Sequence, residues 1–292
     1  MPELPEVEVV RRGLQEHVLG RTIASLQLSG TRVARRHLAG PSDLAARVTG
    51  QRCVAVERRG KYLWLVLEPS SEALIVHLGM SGQVLVSPKQ NPRHKHQHAT
   101  FDFDDHGPQL RFIDQRTFGG LAWSELVADR KLARSSLIHG VPASIEHIAP
   151  DPLEEGFVPA DVATAMLKRR TAVKRALLDQ RLVSGIGNIY ADEALWRAGL
   201  HGEQLASSLS LDILLRTLDH ARQVMTEALD AGGTSFDALY VNVNGASGYF
   251  SRELSAYGQA GRPCRRCGTP IVREAFMNRS SHFCPQCQLL PS

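Results

Sequence analysis

Two clusters in this 292-residue chain carry residue types that can do covalent chemistry or bind a metal. The first is the opening Met-Pro-Glu-Leu-Pro-Glu. With Met1 removed, Pro2 presents a secondary amine. Attack of that amine on an electrophilic carbon leads to a charged iminium, because the ring nitrogen has one hydrogen to lose. The amine must be neutral to attack, and an ordinary α-amino group titrates at about pH 8. Glu3 stands beside it and can move protons. The same residues open a helix. Pro5 suits a first helical position, where its missing N–H would have had no partner, and Glu6 suits the positive end of the helix dipole. The second cluster is Cys264, Cys267, Cys284 and Cys287, two C-x2-C pairs separated by sixteen residues. Two thiolate pairs, each on a tight turn, can close on one tetrahedral ion, and this is zinc-ribbon spacing. Two disulfides are the competing chemistry, which a cytosolic chain disfavours. Cys53 lies in an apolar alternation and reads as a buried core thiol.

Further motifs lie along the chain. Lys61 follows Arg58-Arg59-Gly60 at the start of a strand, where it can meet a phosphate or simply be solvated. His77-Leu-Gly-Met-Ser-Gly82 is a strand followed by a turn that would push Met80 outward. Asp114-Gln-Arg-Thr-Phe-Gly119 does the same for Arg116 and Phe118. Apolar wedges and an arginine at loop tips can fill the hole left when a base leaves a duplex; the plainer reading keeps Met80 and Phe118 in the core. His94, His96 and His98 alternate, which puts them on one face of an extended chain. Contact with phosphate suits them better than a metal. In Leu182-Val-Ser-Gly-Ile-Gly-Asn188, two glycines allow a tight backbone between helices, and Asn188 reads as an N-cap. This is not a dinucleotide fingerprint, for it lacks the third glycine and the preceding strand.

The elements that must position these residues divide along the chain. Val7, Val10, Leu14 and Val18 recur at helical spacing, with Gly20 as a stop. Residues 21–123 read as β, with strand-length runs at 61–67 and 73–77 and a hairpin turning at 104–107. Helices are expected at 159–169, 172–180, 188–198 and 209–230, the middle pair resembling a helix–turn–helix variant. Residues 232–249 form a long Gly- and Asn-rich loop. With 43% hydrophobic residues the chain can bury a real core. No apolar run of membrane length and no signal-peptide pattern occurs, so a cytoplasmic address is the default. The net charge is only +4, and residues 251–292, with six Arg and two Glu, carry an equal excess. A second basic patch runs Lys168, Arg169, Arg170, Lys174, Arg175, Arg181. Two local patches on a nearly neutral body suit a polyanion contacted at defined places, although solvated helix faces would also explain the helical patch.

In this order the motifs resemble the formamidopyrimidine-DNA glycosylase family of bacterial base-excision repair, over almost the full length. The resemblance implies an α+β multidomain fold. Its parts would be an N-terminal catalytic β-sandwich with one leading helix (1–133), a linker (134–152), a helix-two-turns-helix domain with a lesion loop (153–250) and a zinc ribbon (251–292). It implies Pro2 as nucleophile and Glu3 as acid/base partner. Lys61 would contact phosphate and assist elimination, and Arg279 would grip the phosphates around the lesion. His96, Arg116, Arg169, Lys174, Asn188 and Glu6 fall at DNA-binding positions, and Met80, Arg116 and Phe118 would fill the gap after base flipping. One structural zinc on the four cysteines, damaged double-stranded DNA as partner, a monomeric state, no membrane, and β,δ-elimination after excision of oxidised purines complete the expectation. Gln115 and Thr117 depart from the commoner proline and arginine, which implies altered reading of the base opposite the lesion. The rival readings are an endonuclease VIII-like enzyme for oxidised pyrimidines and a non-catalytic zinc-ribbon DNA-binding protein. Leu4 and the long loop 232–249 favour the purine branch, and Pro2, Glu3 and Lys61 favour an enzyme.

Overall fold

A computed structural model describes residues 2–132, 135–233, 243 and 253–290. These form two compact units. The first comprises residues up to Arg130, Leu137–His147 and, after the last long helix, Gly232, Gly233 and Val243. The second holds most of what remains, including Ile148–Ala231 and the cysteine segment.

In the first unit, α1 (Leu4–Val18) starts where Pro5 permits and buries the expected Val7, Val10, Leu14 and Val18. After β1 (Ile23–Leu28) comes α2 (Gly40–Val48), a helix inside the segment read as β throughout. Pro41 opens it, and Leu44 and Val48, one turn apart, are fully buried. The strands that follow are β2 (Arg52–Arg59), β3 (Tyr62–Glu68), β4 (Glu72–His77), β5 (Gly82–Ser87), β6 (Gln97–Phe103), β7 (Gln109–Asp114), β8 (Gly120–Val127) and the short β9 (Val141–Pro142). They pair antiparallel in two sheets, β1-β6-β7-β5 and β2-β3-β4-β8-β9. One core joins the sheets and α1: Leu63, Leu65, Leu67, Leu74 and Val76 from one sheet meet Val84, Phe101, Phe103 and Phe112 from the other. Burying these side chains contributes on the order of 2 kcal/mol each before the entropy of ordering them is charged. Cys53 is part of this core, and burial pushes its thiol up to about 12.

The second unit is helical and then cysteine-rich. Its helices are α3 (Pro159–Leu167), α4 (Val173–Leu178), α5 (Asn188–Ala198) and α6 (Leu211–Asp230), within two residues of the expected spans. The hairpin β10 (Val272–Phe276) and β11 (Arg279–Phe283) follows. Segment 232–249, expected with the helices, meets the first unit at its described residues. The Val243 carbonyl accepts from the Val86 N–H at 2.9 Å, and its side chain packs so closely on α1 that a Cβ on Gly13 would lie 2.3 Å from it. The rest of that loop lies outside the described residues. Expected linker residues Leu137–His147 also belong to the first unit, where β9 pairs with β8.

Candidate active site and nucleic-acid interface

In the first unit, Pro2 and Glu3 precede α1 and are both buried. Glu3 is the N-cap, and Glu6 returns its carboxylate to the Glu3 N–H at 2.8 Å, one half of a capping box. This fixes Pro2 at the positive end of the helix dipole, which favours a neutral over a charged amine there. Gly233, in the left-handed region at φ +92°, stands next to the Glu6 side chain, where an added Cβ would lie 3.6 Å away.

Lys61 lies in the two-residue turn of the β2–β3 hairpin, with Gly60 at φ +57° as a tight connection requires. His77, at the end of β4, stacks on Tyr62 with ring centroids 4.8 Å apart. Burial, then the charges of Arg36, Arg35 and Lys61, lower the His77 pKa to about 4, so the ring is neutral near pH 7. Its Nδ1 is buried and meets no hydrogen-bond partner among the described residues. Sequence reasoning passed over this histidine, although it opens the run that drew attention to Met80.

Two loops present the expected wedge residues. The Asp114 carboxylate is buried and accepts from Ser81 Oγ at 2.5 Å, from the Gly119 N–H at 2.7 Å and from the Arg116 N–H at 3.2 Å. It thereby ties the loop after β7 to the loop after β4. Arg35 closes the other side, donating to the carbonyls of Thr117, Phe118 and Gly119. Gly79 has φ +64°, and a Cβ there would sit 2.4 Å from the Gly119 nitrogen, so only glycine lets the backbones touch. Met80 is 38% and Phe118 45% exposed, which removes the core reading, and Arg116 lies over the Phe118 ring at 5.2 Å. Thr117 takes φ +56°, unusual for a β-branched residue.

His96 is half-buried just before β6, but the three histidines do not share a strand face. Only His98 lies within β6, and its ring nitrogen meets the Asp114 carbonyl at 2.9 Å.

In the second unit, a cavity of about 750 Å³ is lined by Arg169, Arg170, Arg175 and Arg279, with Asp179 the one acidic residue. Arg169 pairs with Asp179 at 2.6 Å. Such a concentration of guanidinium groups suits phosphate. Lys174, expected on this surface, corrects the sequence reading. It is fully buried, its Nζ 2.6 Å from Asp192 and donating to the Ser280 carbonyl at 3.1 Å and to Ser281 Oγ at 3.0 Å. Its charge is spent inside the fold, holding β11 immediately beside Arg279. Asn188 is also corrected. Gly187 is the N-cap of α5, and Asn188 Nδ2 donates instead to the same Ser280 carbonyl at 2.9 Å, while its Oδ1 is buried without a partner. The glycine-rich turn before α5 is held by Gln180, which donates to the carbonyls of Leu178 and Ile186 and accepts from the Gly185 N–H.

The Sγ atoms of Cys264, Cys267, Cys284 and Cys287 lie within 4.8 Å of one another, with contacts of 3.5 Å for Cys267–Cys284 and 3.4 Å for Cys267–Cys287. Disulfide sulfurs would be about 2 Å apart. Tetrahedral zinc–thiolate bonds of about 2.3 Å set sulfurs about 3.8 Å apart, so this cluster fits a metal ion. It is the one such group among the described residues.

Comparisons with known proteins agree with this arrangement. Family models for the formamidopyrimidine-DNA glycosylase N-terminal domain, the same enzyme's H2TH domain, and a zinc finger found in FPG and IleRS match residues 1–121, 148–239 and 261–289. The chain is 58% identical over all its 292 residues to a formamidopyrimidine-DNA glycosylase of Rhodococcus jostii, covering 97% of it. It is 57% identical to that of Nocardia farcinica, covering 99%. A crystal structure of a Lactococcus lactis FPG point mutant with Fapy-dG-containing DNA aligns at TM-score 0.84 and 32% identity, covering 99% of this chain and all of the other. MutM with DNA containing carbocyclic 8-oxo-G aligns at TM-score 0.83 and 32% identity, with the same coverage. Fold and relatives together define a DNA glycosylase of base excision repair. More narrowly, the chain belongs to the formamidopyrimidine-DNA glycosylase family.

Proposed function

We propose that this enzyme excises oxidised purines, 8-oxoguanine and formamidopyrimidines, from duplex DNA and then cleaves the strand, acting as a cytoplasmic monomer. The observation that carries the reading is the start of α1: Pro2 and Glu3 are held at its positive end. The unit that bears them also bears the Lys61 turn and the loop pair presenting Met80, Arg116 and Phe118.

Pro2 nitrogen attacks C1′ of the flipped nucleotide. The C1′–N bond breaks, the base leaves with a proton, and the Pro2 nitrogen becomes an iminium after the sugar ring opens. Glu3, as acid/base, moves the protons of these steps. The iminium acidifies C2′. Loss of its proton expels the 3′-phosphate, and a second elimination expels the 5′-phosphate, leaving a one-nucleotide gap. Lys61 contacts phosphate and assists elimination, and Arg279 and Arg169 grip the backbone from their cavity. His96 and Asn188 add contacts, and Glu6 caps the segment facing the lesion. Met80 and Phe118 wedge into the gap while Arg116 faces the orphaned base, offsetting the few kcal/mol that unstacking costs.

The four thiolates would hold one zinc ion. With no open coordination position it supplies folding energy and no chemistry. Elemental analysis is expected to give one zinc per chain, and a chain fully folded with none overturns this. Borohydride trapping on duplexes carrying 8-oxoguanine, formamidopyrimidine or an oxidised pyrimidine tests the substrate class. A covalent adduct is expected first on the purine lesions. Preference for the pyrimidine lesion would shift the reading to the endonuclease VIII type, and no adduct would leave a binding protein.

A further inference from the structure

We propose that Arg58, ion-paired with Glu8, is a positioning residue for this reaction: it fixes the Gly60-Lys61 turn to the helix that begins beside Pro2 and Glu3. The inference rests on the function proposed above and deepens it.

Arg58 is the penultimate residue of β2, and at 8% exposed its guanidinium is almost wholly inside the fold. A buried guanidinium must find acceptors or cost several kcal/mol. Two of its acceptors serve different elements. Nε donates to Glu8 Oε2 at 3.0 Å, and Nη1 donates to the Gly60 carbonyl at 3.1 Å. Glu8 lies on α1, five residues after Glu3, a rise of about 7.5 Å along a stiff rod. Its carboxylate also takes two hydrogen bonds from Arg11 and one from Arg12. Arg11 in turn reaches the Val56 carbonyl of β2 at 3.1 Å. Arg59, the next residue, faces the opposite side of the strand and pairs with Asp129, so Arg58 is the arginine that faces α1.

A two-residue hairpin tip would ordinarily be the loosest part of its strand pair. Here the carbonyl that precedes Lys61 is held by a side chain anchored on the catalytic helix. The peptide carrying the Lys61 nitrogen therefore keeps its place relative to α1. A lysine at position 58 offers one charged point and lacks the planar fork that serves both acceptors at once.

Single-turnover strand cleavage of an 8-oxoguanine duplex, which includes the elimination that Lys61 assists, reads this directly, with borohydride trapping run beside it. Arg58→Lys is expected to slow strand cleavage about tenfold, since small misplacements at a reacting centre cost that much or more. Binding of the same duplex should change by less than about threefold. Glu8→Gln is expected to follow Arg58→Lys and serves if that variant folds poorly. In a Lys61→Ala background, Arg58→Lys should cost less than about twofold more, because the group it positions is gone. A merely structural role would lower both backgrounds alike. Wild-type rates in both single variants, or losses that multiply with Lys61→Ala, would overturn the inference. No adduct from the wild-type protein would instead overturn the proposed function itself.

Discussion

At the scale of single residues, the acid–base chemistry depends on which charges are already spent. Glu8 is held at about 2: burial would raise it, but hydrogen bonds and charges of Arg11 and Arg58 more than offset that. Its folded-state pKa is below the ordinary 4.5, so its stabilisation is present above pH 4.5 and is lost as pH falls toward 2. Acid unfolding followed by circular dichroism should therefore steepen in that window, and Glu8→Gln should flatten it; equal acid sensitivity of both proteins would contradict this. Lys174 is the opposite lesson, a cation that reads as a phosphate ligand in sequence and is an internal strut. Lys174→Met removes the buried cation beside Asp192, leaving that carboxylate only hydrogen bonds such as those from the His282 N–H and Ser281 Oγ, and should cost about 3–5 kcal/mol in denaturant unfolding. The salt slope of DNA binding should stay unchanged, whereas Arg279→Ala should lower it by about one. A reduced slope with full stability in Lys174→Met would restore the phosphate role. Thr117 departs from the arginine that the family resemblance leads one to expect. Cleavage rates opposite C, A, G and T should differ between the wild type and Thr117→Arg, and an identical preference for C in both would contradict the expectation.

At the scale of elements, what presents the wedge residues is a pair of loops pressed backbone to backbone. Gly79→Ala places a Cβ 2.4 Å from the Gly119 nitrogen in a backbone conformation that alanine avoids. It should part the loops, destabilise by more than about 1 kcal/mol and slow lesion excision, while binding to undamaged duplex is retained. Excision at the wild-type rate would mean the loop pair does not matter. These contacts were only half legible beforehand. The glycines and the outward Met80 and Phe118 could be read from turn chemistry. The Asp114, Ser81 and Arg35 ties could not, because a hydrogen bond between residues some thirty to eighty positions apart leaves no periodic trace. Helices α3 to α6 were legible since their apolar spacing is local. Helix α2 was missed because nine residues inside a run of strands give only about two and a half turns of pattern. Asn188 was misread because an asparagine at a helix start usually caps it, and the competing acceptor, Ser280, lies on a hairpin far along the chain.

At the scale of the whole molecule, the most legible feature was one whose chemistry is written in neighbouring residues, the cysteines at metal spacing. Partnerships that a folded unit assembles from distant segments were not, among them Lys174 with Asp192 and Arg58 with Glu8. The same division separates what the enzyme does from how its parts are held. The four thiolates and the arginine cavity belong to one unit, and Pro2, Glu3 and Lys61 to the other. Removing the metal with a chelator should therefore unfold the cysteine segment and abolish tight DNA binding, while the near-ultraviolet signal of the Trp64 environment persists; loss of both signals together would show that the units do not fold independently. The most direct test of the covalent chemistry is to trap the protein on an 8-oxoguanine duplex with borohydride, digest it, and locate the modified peptide by mass. The expected result is a reduced sugar adduct on the peptide that begins with Pro2, in protein lacking Met1. An adduct on Lys61 or any other lysine, or full strand cleavage by protein whose Pro2 nitrogen is blocked, would contradict it.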